Sequence, residues 1–234
     1  RDSMALELET LDSFDDRLTE LQNRMNDTRR EAESMAHRLS AARTKAAKTV
    51  TDQIEAQLAD LSMPNCRFVV RVDGLEELNE WGRDRIVFLL GPNVGEEPKP
   101  LARIASGGEL SRIMLAIKHV LADTDAVDCY VFDEVDAGVS GGVAEQIGVK
   151  LRETAMHRQV ICITHLPQVA CHASQHLRVY KETNGNRTTT HLTLLSDLER
   201  QEEVARLLAG VRVTDKAREH AGDLIRSAQV EPRA

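Results

Sequence analysis

Two acidic residues, Asp133 and Glu134, close the apolar run Cys129-Tyr130-Val131-Phe132, and Asp136 follows two residues on. A carboxylate pair at the C-terminal end of a strand stands where open α/β sheets bind ligands. Neighbouring strand residues point to opposite faces, but where the chain turns at a strand's end both can approach one ligand. The chemistry such a pair can do is metal-assisted attack by water. Asp133 would hold magnesium, directly or through water, and Glu134 would orient or deprotonate the attacking water. Upstream, Ser106-Gly107-Gly108-Glu109 opens a helix. Small residues let backbone close on a phosphate, and the unpaired N–H groups of a helix N-terminus carry partial positive charge. The Ser106 hydroxyl is a further donor. Downstream, His165 ends the apolar run Gln159–Thr164, in a position to touch a terminal phosphate. Taken singly, a Ser-Gly-Gly is an ordinary helix start, a lone histidine is more often structural, and an acidic loop is often just solvated. The order and spacing of the set favour the site.

The elements that must position these residues alternate in type. Apolar runs at 85–90, 127–132 and 159–164 read as buried strands, and a run at 67–72 puts Phe68, Val70 and Val72 on one face. Between them, 107–122 carries Leu110, Ile113, Met114, Ile117, Val120 and Leu121 on one side of a helix, and 143–156 buries Val143, Ile147 and Leu151. Strand–helix–strand order predicts parallel strands joined by a crossover. Asn184-Gly185-Asn186 between 177–181 and 188–195 predicts a hairpin. Helices over 197–209 and 214–228 follow, with Gly210 stopping the first and Thr214 or Asp215 capping the second.

Residues 5 to 61 contain no proline and read as one long helix. Apolar or small residues recur in steps of three and four: Leu11, Phe14, Leu18, Leu21, Met25, Thr28, Ala32, Met35, Leu39, Ala42 and Ala46. A heptad seam held for about five heptads predicts a coiled coil. Beyond Ala46 the phase changes to Val50, Ile54, Leu58 and Leu61, as where a helix leaves a supercoil to join a globular core. The chain offers no second heptad run of that length, so the partner helix is expected from elsewhere. Arg38, Arg43 and Lys45 flank the seam at e or g positions, with Lys48 nearby. They are expected to pair with carboxylates across it. Contact with a DNA backbone is the alternative for this cationic patch. The expected division is an arm helix over 1–62 and an α/β lobe over 63–230.

At 234 residues with a formal net charge of -8, the chain is not a wholly basic nucleic-acid binder. No run approaches the roughly 18 apolar residues of a membrane span, and Arg1-Asp2-Ser3-Met4 begins no signal peptide. A cytoplasmic protein without a membrane partner is the expectation. Cys66, Cys129, Cys162 and Cys171 lack C-x-x-C spacing, so they read as small buried hydrophobes. The competing grouping is a cluster of Cys162, His165, Cys171 and His172.

The set Ala-Ser-Gly-Gly-Glu-Leu-Ser-Arg, Phe-Asp-Glu-Val-Asp-Ala-Gly-Val-Ser-Gly and Ile-Thr-His-Leu-Pro-Gln-Val-Ala resembles the C-terminal lobe of an ABC-type ATPase head. Within that class it is similar to the RecN family of bacterial SMC-like DNA repair ATPases, over nearly the whole chain. The resemblance implies a P-loop NTPase-like, mainly parallel α/β fold bearing a long coiled-coil helix. It implies ATP and Mg2+ as cofactors, with Asp133 serving the metal and Glu134 as catalytic base. His165 would sense the γ-phosphate, and Ser106, Gly107, Gly108 and Glu109 would close on ATP held by an opposite head. Asp136 would reach across that interface. It also implies a head–head homodimer formed on ATP binding, action on DNA in double-strand break repair and recombination, and a nucleoid-associated location. No G-x-x-x-x-G-K-[ST] occurs in the chain. In the family that motif precedes the coiled coil. The expected partner is therefore an N-terminal half carrying the P-loop (Walker A) lobe and the antiparallel arm helix, and this chain alone is expected to hydrolyse no ATP. The alternative is a structural coiled-coil adaptor that uses an ATPase-like lobe only for association.

Overall fold

The computed structural model describes residues 2–229 except 94, 104–106, 140, 186 and 211, and side chains from residue 14 onward except that of residue 103. The chain divides into two compact units. One takes α1 up to Thr51 together with Val69–Leu89; the other takes Asp52–Phe68 and the chain from Leu90 on.

The first unit is built on α1 (Asp2–Asp60), a 59-residue helix. Its seam residues Phe14, Leu18, Leu21, Met25, Met35 and Leu39 are all exposed. A helix of this length without a covered apolar stripe is unsatisfied by its own chain. Against it lie β1 (Arg67–Asn79) and β2 (Gly82–Gly91). Only Glu80 and Trp81 separate the strands, and a connection that short joins antiparallel neighbours. The predicted strands at 67–72 and 85–90 are thus the ends of one long hairpin. Asp84 fastens the hairpin to the helix. It accepts from Ser40 Oγ at 2.6 Å and from Arg43 Nη1 at 3.0 Å. These bonds, Ser40's first, hold its carboxyl below the usual range. Arg43 therefore pairs within its own chain and not across the seam, because the hairpin occupies its side of the helix. Arg38, Lys45 and Lys48 stay exposed.

In the second unit the last turns of α1 become core. Ile54, Leu58 and Leu61 are essentially fully buried, with Phe68, as the phase change predicts. The helix ends where Ser62 turns left-handed (φ 60) and Met63 N–H reaches back to Leu58 O at 2.9 Å. This is the closure usually built on glycine. After β3 (Lys99–Pro100), which completes the order β1-β2-β3, come α2 (Gly107–Val120), β4 (Cys129–Phe132), α3 (Gly142–Ala155) and β5 (Gln159–Cys162). β4 and β5 are parallel, with Cys129 opposite Gln159 and Phe132 opposite Cys162. The expectation of strands buried on both faces holds for one face only. Tyr130 and Phe132 are buried, while Val131 is 63% and Ile161 45% exposed. The short α4 (Pro167–Ala170) leads to the antiparallel β6 (Leu177–Asn184) and β7 (Arg187–Leu194). The cross-strand pairs Leu177–Leu194 and Val179–Leu192 form a second uncovered apolar face. α5 (Asp197–Ala209) and α6 (Asp215–Gln229) close around Val204, Ala205 and Ala221.

Candidate nucleotide site

β4 ends at Phe132, and Asp133 and Glu134 follow it, both exposed. The turn is tight. Glu134 sits at φ 56, and Ala137 N–H donates to its carbonyl at 3.0 Å. A non-glycine residue there costs about 1–2 kcal/mol, and such strain collects at functional sites. Val135 and Asp136 then turn inward, at 0% and 2% exposure.

α2 is laid directly on this turn. Ser111 Oγ donates to Asp133 O at 2.7 Å, and Arg112 Nη1 donates to Ala137 O at 3.0 Å. The two glycines permit the approach. A Cβ on Gly107 would stand 2.9 Å from Glu134 Oε2, and one on Gly108 2.9 Å from the Ala137 Cβ and 3.1 Å from its carbonyl oxygen. Gly108 is thus required by packing against Ala137, while at Gly107 an added Cβ meets only the movable end of the Glu134 side chain. Glu109 is half-buried; its charge and the desolvation of Arg112 act in opposite directions on that guanidinium, and burial wins. Ser106 lies outside the described residues.

β5 delivers the third component. Asp136 Oδ2 accepts from the Thr164 hydroxyl at 2.5 Å and from the His165 main-chain N–H at 3.3 Å, and His165 Nδ1 lies 3.4 Å from the same oxygen. Leu166 N–H donates to Thr164 Oγ1 at 3.0 Å, fixing the turn into α4. The Asp136 carboxylate therefore does not reach outward, as the resemblance implied, but is spent inside the chain on the histidine loop. The His165 imidazole itself remains 74% exposed. The motifs at 107–109, 133–136 and 165 are all brought together. Sequence reading missed Thr164, Ser111 and Arg112. The last two stand one turn along the helix from the glycines, a spacing that puts them on the same face.

The Cys162–His165–Cys171–His172 grouping does not form a metal site among the described residues. Burial pushes the Cys162 thiol up to about 12, with Asp136 and Asp133 adding to the effect. Burial likewise pushes Cys171 up to about 11. Cys66 and Cys171 are buried, as predicted, whereas Cys129 and Cys162 are only half-buried. The raised thiols of Cys162 and Cys171 are poor ligands as they stand.

No family model matches the chain. Among curated proteins it is 42% identical over 224 residues to the DNA repair protein RecN of Halalkalibacterium halodurans, covering 93% of this chain and 40% of that one. To RecN of Bacillus subtilis it is 38% identical over 237 residues, covering 95% and 41%. To RecN of Deinococcus radiodurans it is 42% identical over 188 residues, covering 80% and 33%. The chain thus spans about a third to two fifths of the length of these curated relatives. Among solved structures, the Smc head domain with a coiled coil and joint from Pyrococcus yayanosii superposes with a TM-score of 0.50 at 20% identity, covering 70% of this chain and 29% of that one. That likeness gives the fold: an α/β head lobe of SMC type carrying a long helix. With motifs, fold and some two fifths sequence identity in agreement, the chain belongs to the RecN family.

Proposed function

We propose that this chain supplies one lobe of an ATP-hydrolysing head whose other lobe, with the phosphate-binding loop, lies in the part of the protein outside it. The observation that carries the reading is the single connected cluster in which the Gly107–Gly108 helix start rests on the Glu134–Ala137 turn while Asp136 holds the His165 loop. Three phosphate-directed motifs would thus share one connected cluster, so that a shift at one would be felt by the others. The uncovered faces of β4–β5 and β6–β7 support the need for a second lobe.

Magnesium fits the donor set. It takes one or two carboxylates together with phosphates and keeps its other waters. Asp133, exposed at the strand end, would hold it, and the ion would neutralise charge on the phosphates of ATP. Glu134 would accept the proton of the attacking water. His165 would meet the γ-phosphate, its loop set by Asp136. Ser106 to Glu109 would close on ATP carried by a second head, making an ATP-dependent homodimer. Residues 1–62 would be the arm entering a lobe over 63–230, paired with an antiparallel helix from outside the chain. The RecN relatives, DNA repair proteins by name, support DNA as what the heads engage. The role would be in double-strand break repair and recombination, with a cytoplasmic, nucleoid-associated location.

The test is Glu134→Gln in the longer protein. Hydrolysis should fall by at least about a hundredfold, in line with removal of a general base, while ATP-dependent head dimers accumulate. Turnover of ATP left intact by this change would favour the adaptor reading instead.

A further inference from the structure

Alternate residues of a strand share a side, so Gly82, Asp84, Ile86 and Phe88 lie on one face of β2. That face is turned towards α1. Asp84 bonds Ser40 and Arg43, and a Cβ on Gly82 would be 3.1 Å from Leu39 Cδ2. Yet Ile86 is 38% and Phe88 40% exposed. The cause is the path of α1. Near the hairpin turn, Leu39, Ser40 and Arg43 meet β2. Further along, Thr44, Ala47, Lys48 and Thr51 line a groove with Val69–Val72 of β1. The helix therefore crosses the hairpin obliquely and leaves β2 as it goes, so the floor formed by Ile86 and Phe88 stays partly exposed.

The side on which it opens is decided by helix geometry. At about 100° per residue, Ala42 and Ala46 continue the Leu39 side of α1, and Thr44 and Lys48 fall on the other. The open floor is thus beside the exposed seam. At the hairpin tip stands Trp81, the single tryptophan of the chain and 71% exposed.

We propose that Trp81, Ile86 and Phe88 form a seat for the head-proximal end of the arm's second helix, supplied by the part of the protein outside this chain. The inference rests on the two-helix arm proposed above. The seam from Phe14 to Leu39 runs uncovered into this floor, so a helix paired along the seam arrives on it without a break. The length is available, since this chain spans only 40% of its Halalkalibacterium relative. An aromatic anchor beside a helical seam is also the kind of residue that dominates packing contacts.

The experiment replaces Trp81 or Phe88, one at a time, with the photo-cross-linker p-benzoylphenylalanine in the longer protein, with Leu21 replaced likewise as a control on the arm. All three should cross-link within one molecule, to one helix outside this chain. Trp81 and Phe88 should mark its head-proximal end and Leu21 a more distant turn. If Leu21 finds that helix while Trp81 and Phe88 capture a second copy, added DNA or nothing, the seat is wrong and the two-helix arm stands. If Leu21 captures nothing outside the chain, the arm reading falls and the seat with it. A second readout is acrylamide quenching of the emission lost in Trp81→Phe. It should be strongly protected in the longer protein, and full accessibility would overturn the seat.

Discussion

The buried carboxylate of Asp136 holds His165 by its main chain. The N–H donates to Oδ2 at 3.3 Å, and the ring Nδ1 stands 3.4 Å from that oxygen. One partner is 2% exposed and the other 74%, so the aspartate is the anchor and the imidazole the part left free to meet something else.

Removing the anchor should therefore be costly. Asp136→Ala leaves the Thr164 hydroxyl and the His165 N–H without an acceptor, and is expected to destabilise the chain by about 1–3 kcal/mol. Asp136→Asn keeps one acceptor oxygen and should cost less. Urea unfolding of the two variants measures the difference, and equal losses would mean that the charge, not the hydrogen bonds, sets the loop.

The two glycines of α2 should respond differently. At Gly108 an added Cβ meets the Ala137 Cβ and backbone, which cannot step aside, so Gly108→Ala should lose about 1–3 kcal/mol from overpacking. At Gly107 it meets only the end of the Glu134 side chain. There the gain of about 1 kcal/mol in helix propensity should leave stability unchanged or slightly raised. The displaced Glu134 should instead show as slower ATP turnover in the longer protein.

Ser196 closes a capping box on α5. Glu199 N–H meets Ser196 Oγ at 3.5 Å, and Ser196 N–H donates to Glu199 Oε2 at 2.8 Å. Ser196→Ala should lower stability by about 1 kcal/mol. Thermal unfolding reads it, and Ser196→Thr should recover most of the loss.

Asp125 accepts from Lys118, from the Tyr130 hydroxyl at 2.9 Å and from Val127 N–H at 3.2 Å. The Lys118 bond first, then that of Tyr130, pull its carboxyl down to about 2. The unfolded value is about 3.9. The folded state thus binds its proton less readily, so this stabilisation is complete above about pH 4 and is lost as pH falls through about 2. In Asp125→Asn the urea midpoint should vary less with pH across that acidic window. An unchanged profile would mean that other carboxylates set the acid limb.

Much of this was legible along the chain because it depends on local periodicity. The heptad steps of α1, the loss of phase after Ala46, the strand running up to Asp133 and the pairing of β6 with β7 follow from spacing, since a helix or strand repeats its apolar face at a fixed period. β5 stops at Cys162, short of the expected end at Thr164. The candidate site residues were legible for the same reason: they stand at the ends of periodic elements. The partnerships of their polar atoms were not. Asp136 could face outward or inward with identical neighbours in sequence, and burial against the Thr164–His165 loop decided for inward, because a carboxylate without water must find donors within the chain. Arg43 was open to any carboxylate until the hairpin brought Asp84 to it across 41 positions. Sequence alone determined which elements form and where the candidate site residues lie at their ends. Tertiary structure decided which charges are spent in holding those ends and which faces remain open, because both depend on distances that no local period encodes.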